Sequence, residues 1–355
     1  MKHSMPMIAH KPALPLLIAL VLGLLMAGGG CASLQKGLDD SGLDEIGKRL
    51  AAERPTDSRA GLTAFLADFD PFAIPVVDPS EMRREALDRW SLKGRAYPDL
   101  VEERLSFPSA LGDRSVFYLY RRGPLAGQKV ILWVPGYGVS DLAFALIRNF
   151  LEVELDEGYA ILFYDLPYHL ERQTIGHGAG EGLLSIDTTV NLRTFAGTLA
   201  DLRSGYAFLE SEGVASVSGW GGSMGAALLW TLSSRDVLDH MSLLIPVVDW
   251  MTLLYNPHLR RARELLEAAG LDRGLLSRAY AAFSPAGVRT LTSPGNIELL
   301  YAQWDQLTPM DQTLRFAREQ GIEDLSGYGV SHTTMLLDRG IYDDYRTFLA
   351  RMRDP

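Results

Sequence analysis

Five short apolar runs govern what this chain can fold into: Lys129-Val-Ile-Leu-Trp-Val134, Tyr159–Tyr164, Val214–Ser218, Met241–Val248 and Ile297–Gln303. The first two are apolar without a break, which suits strands buried on both faces, as in a parallel sheet. Helix-like segments alternate with the strands. They are Ala143–Leu155, Thr188–Glu212 ending at Gly213, Met224–Ser233, Thr308–Gln320 stopping at Gly321, and Tyr342–Met352, with a last short strand at Leu325–Tyr328. Such alternation calls for an α/β fold, a mostly parallel central sheet with helices on both faces. Val101–Phe107 and Arg114–Arg121 precede it as a hairpin or consecutive strands.

The spacing divides the chain into three parts. Residues 99–355 form the main domain. Between the strands at 241–248 and 297–303 lie about fifty residues, too many for a plain crossover, and their helix-like stretches Arg260–Ala269 and Leu275–Phe283 predict a small helical cap over about 250–292. Residues 31–98 read as a tether followed by a packing helix, with Leu43, Ile46, Leu50, Leu62, Phe65, Leu66 and Phe69 at helical spacing. Pro71, Pro75 and Pro79 then break the pattern ahead of a short helix expected at Glu81–Trp90.

The first thirty residues have the order of a signal peptide. Lys2 and Lys11 precede an uncharged stretch from Pro12, and Gly28-Gly29-Gly30 lead into Cys31. This arrangement resembles a bacterial lipoprotein signal, which implies acylation of Cys31, an N-terminal lipid anchor and a place in the cell envelope, at the periplasm or outer membrane. Cleavage after Ala32, giving a soluble periplasmic protein, and retention of the segment as a membrane helix are the alternatives. Gly28 stands where the lipoprotein motif usually has Leu.

Composition excludes several functions. With 34 Lys+Arg against 44 Asp+Glu the net charge is −10, which argues against a nucleic-acid partner. Cys31 is the single cysteine, so an intramolecular disulfide and a Cys-based zinc site are both ruled out. The seven histidines are spread out and form no H-E-x-x-H pair, so no metal site is expected.

Gly221-Gly222-Ser223-Met224-Gly225 fits G-x-S-x-G, with a strand before it and an apolar helix after it. That is the setting of a nucleophile elbow, where a strained turn exposes a serine and flanking glycines keep side chains clear. A serine hydroxyl needs a base to take its proton. His332, in Gly327-Tyr-Gly-Val-Ser-His332-Thr-Thr, follows the last strand and is the only histidine beyond position 258. The base needs a carboxylate to fix its tautomer. Asp305, at the C-terminal end of the strand 297–303, is the first choice; Asp249, after the preceding strand, is the alternative, and Asp311 suits a helix N-terminus.

The order Ser223, Asp305, His332 resembles the α/β-hydrolase superfamily over roughly residues 100–352, and Asp-x-x-Thr-Pro at 305–309 is similar to its acid motif. Pro167-Tyr-His-Leu-Glu-Arg172 resembles a little-characterised hydrolase subgroup. The resemblance implies an oxyanion hole from the Met224 N–H and the loop Pro135-Gly136-Tyr137-Gly138, where Tyr137 takes the donor position and Pro135 replaces the usual histidine. It also implies a serine-dependent carboxylic ester hydrolase acting on a small-molecule or lipid ester, without metal or organic cofactor. An acyltransferase or peptidase using the same residues, or an inactive binding lipoprotein on this fold, is the alternative.

Other residues carry two readings each. His169 and Arg172 either line a substrate pocket or serve structure, Arg172 by pairing with a carboxylate. Gly176–Gly182 reads as a mobile loop near the site in preference to a phosphate loop. Trp250, Met251, Leu253, Leu254 and Tyr255 enter the cap, as an acyl or aromatic pocket or as its packing.

Overall fold

The computed structural model describes residues 32–92 and 97–353, so Cys31 and the signal-like segment lie outside the described residues. Among these residues nine strands form one sheet: β1 (Arg83–Ala86), β2 (Leu100–Pro108), β3 (Arg114–Arg122), β4 (Lys129–Val134), β5 (Ala160–Asp165), β6 (Ser216–Gly222), β7 (Met241–Leu244), β8 (Ile297–Ala302) and β9 (Asp324–Tyr328). Their order is β1-β2-β3-β5-β4-β6-β7-β8-β9. β1, β2, β3 and β5 pair antiparallel, and every pairing from β5 through β4 to β9 is parallel. The α/β class read from the apolar runs is the class observed.

Among the described residues ten helices surround the sheet: α1 (Ala32–Ala52), α2 (Arg59–Asp68), α3 (Asp141–Asp156), α4 (Thr188–Ser211), α5 (Met224–Leu232), α6 (Trp250–Leu254), α7 (Arg260–Ala268), α8 (Arg273–Tyr280), α9 (Met310–Gln320) and α10 (Gly340–Arg353). Two apolar cores, one on each face, hold the layers together. Phe195 and Leu199 of α4, Leu228 and Trp230 of α5 and Phe316 of α9 belong to one core. Phe150 and Leu151 of α3 and Tyr345, Phe348 and Leu349 of α10 belong to the other. Burying each such side chain contributes roughly 1.5–3 kcal/mol. The insertion between β7 and β8 carries α6, α7 and α8.

The N-terminal region differs from its reading in two places. Glu81–Trp90 is not a helix; its middle is the edge strand β1, whose four residues are all exposed. Cross-strand charge holds β1 in place, with Arg84 on Glu103 and Arg104 on Glu85, and this overrides the local helical preference. The expected tether from Ser33 is instead the start of α1, packed along α7 and the short turn Pro257–Leu259. Its buried stripe is Gln35, Asp39, Leu43, Gly47 and Leu50. The first two are polar, which a search for apolar periodicity passes over.

One buried carboxyl ties three elements together. Glu154 of α3 is fully buried; its Oε1 accepts from Trp133 Nε1 of β4 (2.8 Å) and from the Tyr345 hydroxyl of α10 (2.6 Å). Burial pushes its pKa up to about 8, so the neutral acid is the form that fits. Asp165 and Glu298 are buried likewise and are also pushed up to about 8. A carboxyl whose folded pKa is raised contributes stability at low pH and loses it as pH climbs toward the folded value. Thermal unfolding should therefore show the melting temperature falling between about pH 5 and pH 8 and levelling off above. Glu154→Gln should reduce that fall by its share, several degrees, while leaving the protein folded at pH 6.

Candidate active site

The site forms where β4, β6, β8 and β9 end. β6 runs to Gly222, and Ser223 makes the turn into α5 with φ 51° and ψ −116°. A positive φ at a non-glycine residue costs on the order of 1–3 kcal/mol, so the surroundings must hold it. They do so through the Ser223 N–H on the Leu244 carbonyl (2.8 Å) and the Val247 N–H on the Ser223 carbonyl (3.1 Å). Close approach explains the motif glycines. A Cβ on Gly221 would stand 2.6 Å from Ala226 Cα, and one on Gly225 would run into the Val134 and Pro135 carbonyls.

The structure brings Ser223, His332 and Asp305 together. His332 Nε2 lies 2.9 Å from Ser223 Oγ, and His332 Nδ1 lies 2.8 Å from Asp305 Oδ2. The Asp305 carboxylate is fixed in turn. Its Oδ1 accepts from the N–H groups of Leu307 (2.8 Å) and Thr308 (2.7 Å), and Oδ2 accepts from Thr308 Oγ1 (2.7 Å). This is the part played by the Asp-x-x-Thr pattern at 305–308. Burial works against a charged ring at His332, but the Asp305 carboxylate outweighs it, with a further push from Asp39, and the imidazole pKa ends above its ordinary value.

Asp249 is used elsewhere. It caps α6, accepting from the Met251 N–H (3.0 Å) and from Thr252 Oγ1 (3.4 Å). Asp311 sits in the first turn of α9, as its sequence position implied.

The loop Pro135–Gly138 lies against the serine: a Cβ on Gly136 would stand 3.2 Å from Ser223 Cβ. His169 braces this loop. Its Nδ1 faces the Pro167 carbonyl (2.8 Å), so that nitrogen carries the proton, and Nε2 accepts from the Gly138 N–H (2.9 Å). Burial pulls its pKa down to about 4, which keeps the ring neutral and Nε2 free to accept. With Gly138 N–H so engaged, the neighbouring N–H of Tyr137 forms no hydrogen bond among the described residues. Met224, as the first residue of α5, has no acceptor for its N–H within the helix.

Arg172 takes the structural reading. Its guanidinium is 2% exposed and makes two bonds to Asp113 (2.9 Å each), one to the Tyr164 hydroxyl (2.9 Å) and one to the Asp165 carbonyl (3.0 Å). It anchors a segment strained at Tyr168 and Leu170, with φ of 65° and 34°. Gly180 of the glycine-rich loop packs on His169 and the Tyr137 ring. Trp250, Leu253 and Leu254 line a small apolar cavity of about 50 Å³ with Leu50 of α1; Ser223, Asp305 and His332 are not among its lining residues. Among the described residues no cluster of His, Cys, Asp or Glu is arranged to hold a metal ion.

Sequence reading missed Asp39 and Gln35. Asp39 is fully buried and accepts four hydrogen bonds from the residues beside Asp305 and His332. Their i, i+4 spacing on α1 is the available signal, but both side chains are polar and apolar periodicity does not register them.

Neither a protein-family model nor a curated protein sequence matches this chain. Solved structures do match in fold. An acetyl xylan esterase from Thermoanaerobacterium sp. JW/SL YS485 superposes with a TM-score of 0.57 at 14% identity, covering 86% of this chain and 98% of that one. An acetyl xylan esterase from Paenibacillus sp. R4 gives 0.52 at 12%, covering 84% and 98%. A putative hydrolase from Agrobacterium vitis S4 gives 0.51 at 16%, covering 71% and 98%. With the strand order above, these likenesses show an α/β-hydrolase fold.

The two carboxylates should separate cleanly by mutation. Removing the tautomer-fixing partner of a catalytic histidine typically lowers kcat about 10⁴-fold; if His332 serves as a base, Asp305→Asn should lose roughly three to four orders of magnitude. Asp249→Asn should keep both rate and melting temperature, because Asn caps a helix about as well as Asp. Steady-state ester hydrolysis and thermal unfolding of the two variants check this.

Proposed function

We propose that the chain is a serine hydrolase that cleaves carboxylic esters through an acyl-enzyme. The observation that carries the reading is the 2.9 Å approach of His332 Nε2 to Ser223 Oγ, with Asp305 holding the opposite ring nitrogen. With Nδ1–H donated to Asp305, Nε2 is left to accept the serine proton. Ser223 Oγ attacks the ester carbonyl, and the proton passes to His332. The tetrahedral intermediate collapses, and His332 returns that proton to the departing alcohol. Water then attacks the acyl-serine, with His332 again taking and returning a proton, and releases the carboxylic acid.

The carbonyl oxygen becomes anionic in both tetrahedral intermediates. The N–H groups of Met224 and Tyr137 are the donors in this reading, each worth about 3 kcal/mol in the transition state. His169 supports them indirectly by fixing the next residue, Gly138. Acetyl xylan esterases among the proteins of the same fold accord with ester cleavage.

The reading extends to the setting. The apolar run before Cys31 supports an envelope lipoprotein, with Cys31 as the point of lipid attachment and the membrane as a partner. No helix among the described residues is long and apolar enough to cross a membrane.

A fluorophosphonate probe should label the purified protein and leave Ser223→Ala unlabelled. A folded wild-type protein that resists the probe would overturn the reading. On p-nitrophenyl esters, kcat/KM should fall as pH drops through the His332 pKa, because the protonated ring accepts no proton. Since that pKa is raised, the midpoint should lie above the ordinary histidine value of 6.5.

A further inference from the structure

A single carboxylate on α1 grips both loops that supply the base and its acid partner. Asp39 Oδ2 accepts from the His332 N–H (3.0 Å) and from the Gln306 N–H (3.1 Å), the residue next to Asp305. Its Oδ1 accepts from the Thr333 N–H (2.9 Å) and from Thr333 Oγ1 (2.8 Å). One helical turn earlier, Gln35 Oε1 accepts from the Ser331 N–H and from Thr334 Oγ1, both at 2.8 Å. Every residue from Ser331 to Thr334 is thereby bonded to α1. Asp39 is fully buried and Gln35 is 5% exposed, so both were taken out of water to make these contacts. A buried carboxylate is tolerated only where donors surround it, and here the donors belong to the two loops of the site.

We propose that Asp39 is a positioning residue of the active site: it clamps the His332 loop to the Asp305 loop, so that α1 completes the catalytic arrangement. The inference rests on the hydrolase reading above. The Nδ1–Oδ2 contact joins two loops that follow different strands, β8 and β9. Asp39 joins the same two loops through their main chains, and so sets the separation at which His332 meets Asp305. Its charge also faces the ring. The ionised groups facing His332 are Asp305, across Nδ1, and Asp39, from α1; Ser223 lies across Nε2. Asp39 therefore acts on the geometry of the base and on its proton affinity.

Three substitutions of the full chain, solubilised in detergent, test this. Asp39→Asn removes the charge and turns one acceptor atom into a donor facing N–H groups. Thr333→Val removes a single hydroxyl donor and keeps the charge. His332→Gln assigns the His332 signal in a ¹³C-imidazole NMR titration of the seven histidines. Misplacing a reacting group by about 1 Å costs roughly 100-fold in rate, so Asp39→Asn should lower the kcat per fluorophosphonate-titrated site about 10- to 100-fold with KM nearly unchanged. The His332 titration and the acid limb of kcat/KM should both move to lower pH. Thr333→Val should lower kcat less and leave the His332 pKa in place.

If Asp39 only supports the fold, Asp39→Asn will lower the melting temperature while kcat per titrated site and the His332 titration stay at wild-type values, and the proposal fails. Should Asp39→Asn not fold, a wild-type kcat in Thr333→Val rejects the clamp. Should the wild-type protein resist the probe, the hydrolase reading falls instead, and the NMR titration still decides whether Asp39 acts on His332.

Discussion

Trp133 of β4 and Trp220 of β6 stand opposite each other on adjacent parallel strands, with ring centroids 3.5 Å apart and planes within 6°. Both are fully buried, or nearly so, and Phe150 packs over Trp220 from α3. A slip of one residue between these strands would send one indole to the opposite face of the sheet. The register they hold continues to Val134 opposite Gly221, and the Pro135–Gly138 loop and Ser223 follow directly from these two strands. Gly136 meets Ser223, and Gly225 meets the Val134 and Pro135 carbonyls, only because the strands end level. The reach of the serine toward the 135–138 loop is thus a matter of sheet register before it is one of loop conformation.

The remaining parts are attached to that rigid pair by polar contacts of long range. Ser223 is locked by main-chain bonds to the β7 end, whereas His332 and Asp305 lie on the loops that follow β9 and β8. Their order comes from hydrogen bonds: Thr308 and the local N–H groups for Asp305, α1 for His332, and His169 for the 135–138 loop. His169 is kept neutral by burial, and that neutrality allows it to accept from Gly138. The same burial that would oppose a cation at His332 is overcome there by an adjacent carboxylate. Two buried imidazoles in one site are thus driven in opposite directions by what stands next to them.

How much of this the sequence discloses depends on the kind of force involved. Strands β4 and β5 were legible because burial on both faces demands unbroken apolar runs, and the serine because its turn demands glycine at fixed offsets. Asp305 and His332 were legible from chain order and from their place after strands. β1 was not, since an exposed edge strand of Arg, Arg, Glu and Ala carries no apolar pattern and is held by partners up to 128 residues away. The role of α1 was hidden for a related reason. Its buried face begins with Gln35 and Asp39, and hydrophobic periodicity is blind to a polar side chain buried because its partners are donors. The choice between the two readings of Arg172 was also closed to sequence, because Asp113, Tyr164 and Asp201 converge on it only in the fold.

The span between α1 and its partners has a consequence for the order in which the molecule can be assembled. Asp39 waits for His332 and Thr333 across 293 and 294 positions, and Gln35 waits for Thr334 across 299. The entropy of closing so long a loop grows only with the logarithm of its length, but the closure must await the far end. On the ribosome, a nascent chain that has passed Gln306 already holds Ser223 and Asp305. It lacks His332, and of the Asp39 partners it has only the Gln306 N–H. Synthesis of the segment from Ser331 to Thr334 supplies the missing imidazole and satisfies α1 in one event. Helix α1 and the loop from Ser331 to Thr334 thus become ordered together, and a chain that stops short of Ser331 carries Ser223 without His332.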